Sequence, residues 1–224
     1  MVEPQGVSIH VDDARQVSGL LQVPPNARFC YVLAHGAGAG MSHPFMASVA
    51  DGLAERGIAT MRYQFPHMEQ GSKRPDTPQL AQATVRAATL KTSQLVPDLT
   101  LIAGGKSFGG RMASQAQAAL PIPGVHALVF LGFPLHPAGR PSNERASHLF
   151  EVAVPMLFLQ GTRDALADTQ LLEGLVERLG NHATLDLFQD ADHSFRVPRR
   201  SGRTDAEVRA EMLDAVASWL ERLT

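Results

Sequence analysis

The stretch LTLIAGGKSFGG, residues 99–110, decides the fold. Leu99 to Ala103 is an apolar run of strand length and composition. It leads into Gly105-Lys106-Ser107-Phe108-Gly109, a G-x-S-x-G pattern, and the Ala-rich segment from Arg111 to Leu120 reads as a helix. A serine at the apex of a sharp turn between strand and helix is the context of a nucleophile elbow. The turn forces strained backbone angles, and a Cβ on the flanking glycines would collide with the adjoining strand and helix. The same letters also end a phosphate-binding P-loop. That motif needs a glycine where this chain has Thr100, and an open arc where Leu101 and Ile102 read as strand interior. Without the arc there is no nest of N–H groups to hold a phosphate. A plain turn that contains a serine survives as a reading only if the partners that would activate the serine are missing.

Outward from this stretch, helices and strands alternate. Val7–Val11 and Gln16–Val23 read as an antiparallel opening pair that Pro24 stops. Strands are expected at Phe29–Ala34, Ile58–Tyr63, Val125–Leu131, Val154–Gln160 and Ala183–Phe188. Helices are expected at Pro44–Arg56, Gln79–Leu95, Gln170–Leu179 and Asp205–Leu223. The second carries its apolar stripe on Leu80, Ala83, Ala87 and Leu90, and the last on Val208, Met212, Val216 and Leu220. Residues 64–78 read as a long loop beside a site. This order predicts an α/β fold: a mostly parallel sheet flanked by helices on both faces. With no repeat or composition shift, residues 1–224 are expected to form a single domain.

In such sheets functional groups gather on loops at the carboxyl ends of the strands. Asp164 follows the strand ending at Gln160, and His193 follows the strand ending at Phe188. The order Ser107, Asp164, His193 is that of the α/β-hydrolase triad. A serine hydroxyl is a poor nucleophile at neutral pH. His193 is expected to take its proton and return it to the leaving group, with Asp164 fixing the imidazole tautomer. Asp190 and Asp192 stand beside His193 in sequence, where a loop residue rarely aims at the ring; Asp192 reads as a loop-shaping residue and is the minor alternative to Asp164 as the acid. The oxyanion hole is expected from the backbone N–H of Phe108 and that of Ala37, with Gly36 as the alternative to Ala37. Losing one such donor typically costs on the order of 2.7–4 kcal/mol of transition-state stabilisation.

The segment between the strands ending at Leu131 and Gln160 is too short for a large cap. A minimal or absent lid leaves the serine open and favours short or soluble acyl esters. Phe45, Phe133 and Phe195, with Met68 and Leu135, lie near strand ends and are candidates for lining the substrate pocket. His35, His43, His67 and His136 cluster in the same loops without metal-ligand spacing, so no metal and no cofactor are expected. Arg140, Arg145, Lys73 and Arg74 are candidates for meeting an acidic substrate, or are solvated.

Composition narrows the classes further. The 224 residues are 44% apolar and 19% charged with a net charge of -2, which gives no electrostatic case for nucleic acid or membrane partners. Four arginines between Arg196 and Arg203 read as a solvated loop. Cys30 is the single cysteine and sits in an apolar run, as a buried small hydrophobe does. The N-terminus lacks an apolar leader segment, and runs such as Ala127–Leu131 are far too short to span a bilayer, so a cytoplasmic protein is expected.

The segments LAHGAGAGMSHPFM, YQFPHMEQG, GGKSFGG, GFPLHPAGRP, FLQGTRDAL and DADHSF together resemble the dienelactone-hydrolase-like branch of the α/β-hydrolase superfamily. Within it they are most similar to the group containing the testis-expressed hydrolase-like proteins and a chromatin-complex subunit. The resemblance runs from Phe29 onward and implies an α/β-hydrolase fold with Ser107 as nucleophile, Asp164 as acid and His193 as base. Dienelactone hydrolase itself carries cysteine at the elbow, where this chain has Ser107, so its lactone chemistry does not carry over. The combined expectation is a serine hydrolase of carboxylic esters or thioesters. The rivals are an amidase or peptidase using the same triad, and an interaction module on a hydrolase fold.

Overall fold

A computed structural model describes residues 2–223. Eight strands form one sheet: β1 (Gln5–Asp12), β2 (Arg15–Gln22), β3 (Phe29–Ala34), β4 (Ile58–Tyr63), β5 (Thr100–Lys106), β6 (Val125–Leu131), β7 (Met156–Gly161) and β8 (Ala183–Phe188). Their spatial order is β1-β2-β4-β3-β5-β6-β7-β8. The first two strands pair antiparallel, β2 joins β4 antiparallel, and every later pairing is parallel. The inner strands β3, β4 and β7 are buried at every position. Burial on both faces is what lets a strand dispense with polar alternation.

Among the described residues six helices cover the sheet: α1 (Pro44–Glu55), α2 (Pro66–Glu69), α3 (Pro78–Leu95), α4 (Phe108–Ala119), α5 (Thr169–Leu179) and α6 (Asp205–Glu221). Helices α1 and α6 close one core through Val49, Leu53, Val208, Met212, Val216 and Leu220 against β3 and β6. Helices α3, α4 and α5 close the other through Val85, Met112, Ala116 and Leu172. The caps explain several boundaries. Pro44 and Pro78 open α1 and α3 at positions where the ring costs no hydrogen bond. Thr204 and Glu207 form a reciprocal capping box at the start of α6.

Three expectations change. Helix α4 begins at Phe108, directly after the serine, rather than at Arg111, and β5 continues through Gly104 and Gly105 to Lys106. The loop at 64–78 contains the single turn α2. Helix α3 buries a different stripe: Ala81, Thr84, Val85, Ala88, Thr89 and Thr92, while Leu90 is 61% exposed. The threonines belong inside because their hydroxyls donate to carbonyls four residues back: Thr84 to Leu80, Thr89 to Val85 and Thr92 to Ala88. With the hydroxyl satisfied, threonine packs as a small branched residue, and a periodicity count that scores it as polar selects the wrong face.

Residues 132–153 between β6 and β7 carry one short 3₁₀ segment, Glu144–Glu151, packed on α4. This is the α/β-hydrolase fold with its sheet flanked by helices and no lid over the carboxyl ends of the central strands. Among the described residues no helix is long and apolar enough to cross a membrane.

Candidate active site

Strand β5 ends between the tips of β3 and β6, and the chain reverses into α4 at a single residue. Ser107 takes φ 51° and ψ -115°, a region that a residue with a side chain enters only under constraint. The constraint is close packing around it. A Cβ on Gly105 would come within 2.8 Å of the Ala34 carbonyl carbon, and one on Gly109 within 2.6 Å of the Ala34 Cβ. Glycine at both positions lets β3 and α4 close on the turn, and the serine stands at its apex.

Two further loops converge on it. After β7, Thr162 and Arg163 donate their N–H groups to the Phe188 and Ala191 carbonyls, at 3.1 and 2.8 Å. Asp190 donates its N–H to the Thr162 hydroxyl at 2.9 Å. These bonds lash the loop carrying Asp164 to the loop carrying His193. His193 Nδ1 then lies 2.6 Å from Asp164 Oδ2. The Asp164 carboxylate is fully buried and saturated: Oδ2 also accepts from Gln160 Nε2 at 2.5 Å, and Oδ1 accepts from the Leu166 N–H at 2.8 Å. A carboxylate with fixed donors cannot rotate, so it holds the ring with Nδ1 as donor and Nε2 free. Asp192 Oδ1 accepts from the N–H groups of Ser194 and Arg196, at 2.8 and 3.0 Å, which turns its carboxylate into its own loop.

The Gly-rich loop after β3 is pinned from three sides. The buried His35 ring accepts the Phe65 N–H at Nε2 (2.9 Å) and donates to the Gly36 carbonyl from Nδ1 (2.7 Å). Burial lowers its pKa to about 4, so it stays neutral and keeps this tautomer. His67 stands between Asp76 Oδ2, 2.9 Å from Nδ1, and the Ala37 carbonyl, 3.3 Å from Nε2. Gln64 Oε1 accepts the Met41 N–H at 2.8 Å. Phe108 opens α4, so its N–H has no carbonyl one turn earlier to bond to.

A cleft of about 740 Å³ opens where these loops meet. Ser107 and His193 share its wall with Ala37, Phe45, Lys106 and Phe195. Phe45 and Phe195 stack with ring centroids 6.2 Å apart and planes 8° from parallel.

Phe133 is a correction. It is fully buried on the opposite side of the sheet, against Phe130 and Phe158 at 5.2 and 5.7 Å, because the chain turns inward after Gly132 instead of continuing toward the cleft. Leu135 is fully buried too, and neither it nor Met68 lines the cleft. Nor do Lys73, Arg74, Arg140 and Arg145. The remaining histidines scaffold loops: His43 accepts the Phe45 N–H at the start of α1, and His136 accepts the Asp168 N–H. Cys30 is buried in β3, and burial pushes its thiol up to about 12. Gln160 and Lys106 were not singled out by the sequence. Their signal is positional, since each is a polar residue at the inner end of an otherwise apolar strand.

A family model described as an alpha/beta hydrolase domain matches residues 27–221. The chain belongs to that family. This α/β hydrolase is similar in fold to a dienelactone hydrolase from Anabaena variabilis, with a TM-score of 0.77, 23% identity and 98% of each chain covered. It is similar also to a lidless α/β serine hydrolase from Xanthomonas campestris, with a TM-score of 0.73, 22% identity, and 97% of this chain and 95% of that one covered. The esterase domain of a Rhodothermus marinus protein aligns at a TM-score of 0.71 and 15% identity, with 98% of each chain covered.

Proposed function

We propose that this α/β hydrolase is a serine hydrolase that cleaves carboxylic esters or thioesters of small or soluble substrates through an acyl-enzyme, without a cofactor. The observation that carries the reading is a strained serine and an imidazole on one cleft wall, the imidazole held at 2.6 Å by a buried, immobile carboxylate. In this reading His193 Nε2 takes the Ser107 hydroxyl proton as Oγ attacks the substrate carbonyl carbon. The resulting oxyanion is met by the N–H groups of Phe108 and Ala37. Collapse of the tetrahedral intermediate breaks the bond to the leaving group, which leaves with the proton from His193. Water then attacks the acyl-enzyme by the same steps and restores Ser107.

The substrate class rests on access. No part of residues 132–153 lines the cleft, so nothing there shields a long acyl chain from water. Phe45, backed by its stack on the buried Phe195, offers an apolar wall for a short acyl or aryl group. The resemblance to the testis-expressed and chromatin-subunit group supports the same residue roles and leaves the physiological ester open.

Labelling with a fluorophosphonate, with the adduct located by mass spectrometry, tests the reading. The expected result is one adduct on Ser107, lost in Ser107→Ala and strongly slowed in His193→Ala. Well-folded protein that takes no adduct would overturn it in favour of an interaction module. Anilide turnover equal to ester turnover would replace the esterase with an amidase.

A further inference from the structure

Lys106 directly precedes Ser107 in a strand otherwise built of apolar residues and glycine, with one threonine at its start. A charge at the inner end of such a strand is costly unless something there requires it. Its ammonium donates a hydrogen bond to the backbone carbonyl of His193. To reach that carbonyl it crosses over Gly132. A Cβ at Gly132 would stand 2.8 Å from Lys106 Nζ and 3.5 Å from His193 Cε1, so the ammonium and the imidazole edge flank the same gap. The Phe195 ring centre lies 5.6 Å from Nζ on another side. No carboxylate forms an ion pair with this lysine among the described residues.

The placement matters because Asp164 acts on His193 in one direction only. A buried carboxylate 2.6 Å from Nδ1 favours the imidazolium. The Lys106 ammonium, across the Gly132 gap from the Cε1 edge of the ring, disfavours a second positive charge there. We propose that Lys106 is a positioning residue for the esterase reaction: its ammonium ties the His193 backbone to the nucleophile elbow, and its charge, across the Gly132 gap, opposes a second positive charge on the His193 ring.

The inference rests on the serine-hydrolase reading and deepens it. The carboxylates of Asp164 and Asp192 act on Lys106, the His193 imidazole and the Ser107 hydroxyl stand beside it, and the cleft it lines also carries His43, Arg196, Asp205 and Arg209. The backbone of Gly132 after β6 and of Gly36 after β3 approaches its side chain. Burial lowers the lysine to about 8, against the pull of Asp164 and Asp192, so its charge is present through the neutral range and fades above it.

The test is a titration of His193 by ¹⁵N-histidine NMR in the wild type, Lys106→Gln and Lys106→Met, beside pH profiles of kcat/KM on p-nitrophenyl acetate. Removing a unit charge near the ring should raise the His193 midpoint by about one pH unit. It should cost up to about tenfold in kcat/KM at the acidic end of the profile, and the loss should shrink toward pH 8, where the wild-type lysine is itself losing its proton. Lys106→Gln keeps a donor for the His193 carbonyl, so a shift in both variants belongs to the charge and not to a lost contact. The wild type supplies a check that needs no substitution: the His193 ring signals should show a second inflection near pH 8 as Lys106 deprotonates.

An unchanged His193 midpoint in Lys106→Gln, or the absence of that second inflection, would overturn the proposal. The NMR midpoint does not depend on turnover. Failure of the Ser107 adduct in wild-type protein would therefore sink the hydrolase reading while the titration still decides the electrostatic role of Lys106.

Discussion

The same residue types occur twice around this sheet, once on the cleft and once packed into scaffolding. His193–Asp164 and His67–Asp76 are both histidine–aspartate pairs, 2.6 and 2.9 Å apart at Nδ1. The His193 side chain is 26% exposed and shares the cleft wall with Ser107. The His67 side chain is 2% exposed, and its Nε2 meets the Ala37 carbonyl. Ser114 and His148 also bring a serine to a histidine, at 2.7 Å, yet Ser114 is fully buried and also bonds the Arg111 carbonyl. Phe45 is partly exposed on the cleft wall with the buried Phe195 stacked on it, and Phe133 faces the core. A pair becomes chemistry only where its outer atom meets space a substrate can enter. Where that atom meets backbone, the same pair is a fastener.

The widest separation between the two regions should come from the two aspartates. Asp164→Asn is expected to lower kcat about a thousandfold or more, because the amide no longer fixes the working tautomer. Asp76→Asn should cost about tenfold at most through a loosened Ala37 loop, while fluorophosphonate still labels Ser107. It should destabilise the fold by about 1–3 kcal/mol, as loss of a buried acceptor does. Equal kinetic losses in the two variants would erase the distinction between base and fastener.

The phenylalanines sharpen it next. Phe133→Ala should destabilise by about 3–5 kcal/mol with KM for short esters unchanged, whereas Phe45→Ala should raise KM at little cost in stability. Denaturant unfolding and Michaelis–Menten analysis of the pair separate the two roles.

Acid should loosen the scaffold. Burial lowers His35 and His148 from 6.5 to about 4. Below about pH 6.5 the unfolded chain takes up protons that the folded chain refuses, so stability falls as pH drops from there toward 4. Melting temperatures across that range should decline steadily, and His148→Gln should flatten part of the slope. The smallest effect belongs to Leu90→Gln on the outer face of α3, expected within about 0.5 kcal/mol of the wild type. A loss several times larger would restore the Leu80–Leu90 stripe as the packed face.

Much of this was legible in the sequence because it rests on local physics. Apolar runs mark strands buried on both faces, proline and threonine mark helix starts, and glycines at 104, 105, 109 and 110 mark a turn that tolerates no Cβ. The order Ser107, Asp164, His193, each just past its own strand, follows from parallel strands sharing one carboxyl edge. Other features depended on which surface a side chain meets after packing. Thr84, Thr89 and Thr92 lie inside because their hydroxyls find carbonyls on their own helix. Phe133 packs into the core after the bend at Gly132, and Phe195 is buried against Phe45 and Phe188 at the cleft wall. Lys106 reaches the His193 carbonyl across a glycine on a third strand's end. The sequence by itself determined the strand–helix order and the residue types at the strand ends, since those follow from periodicity and backbone preference. Only the tertiary structure decided which histidine, serine and phenylalanine face open space, because exposure is set by neighbours distant along the chain.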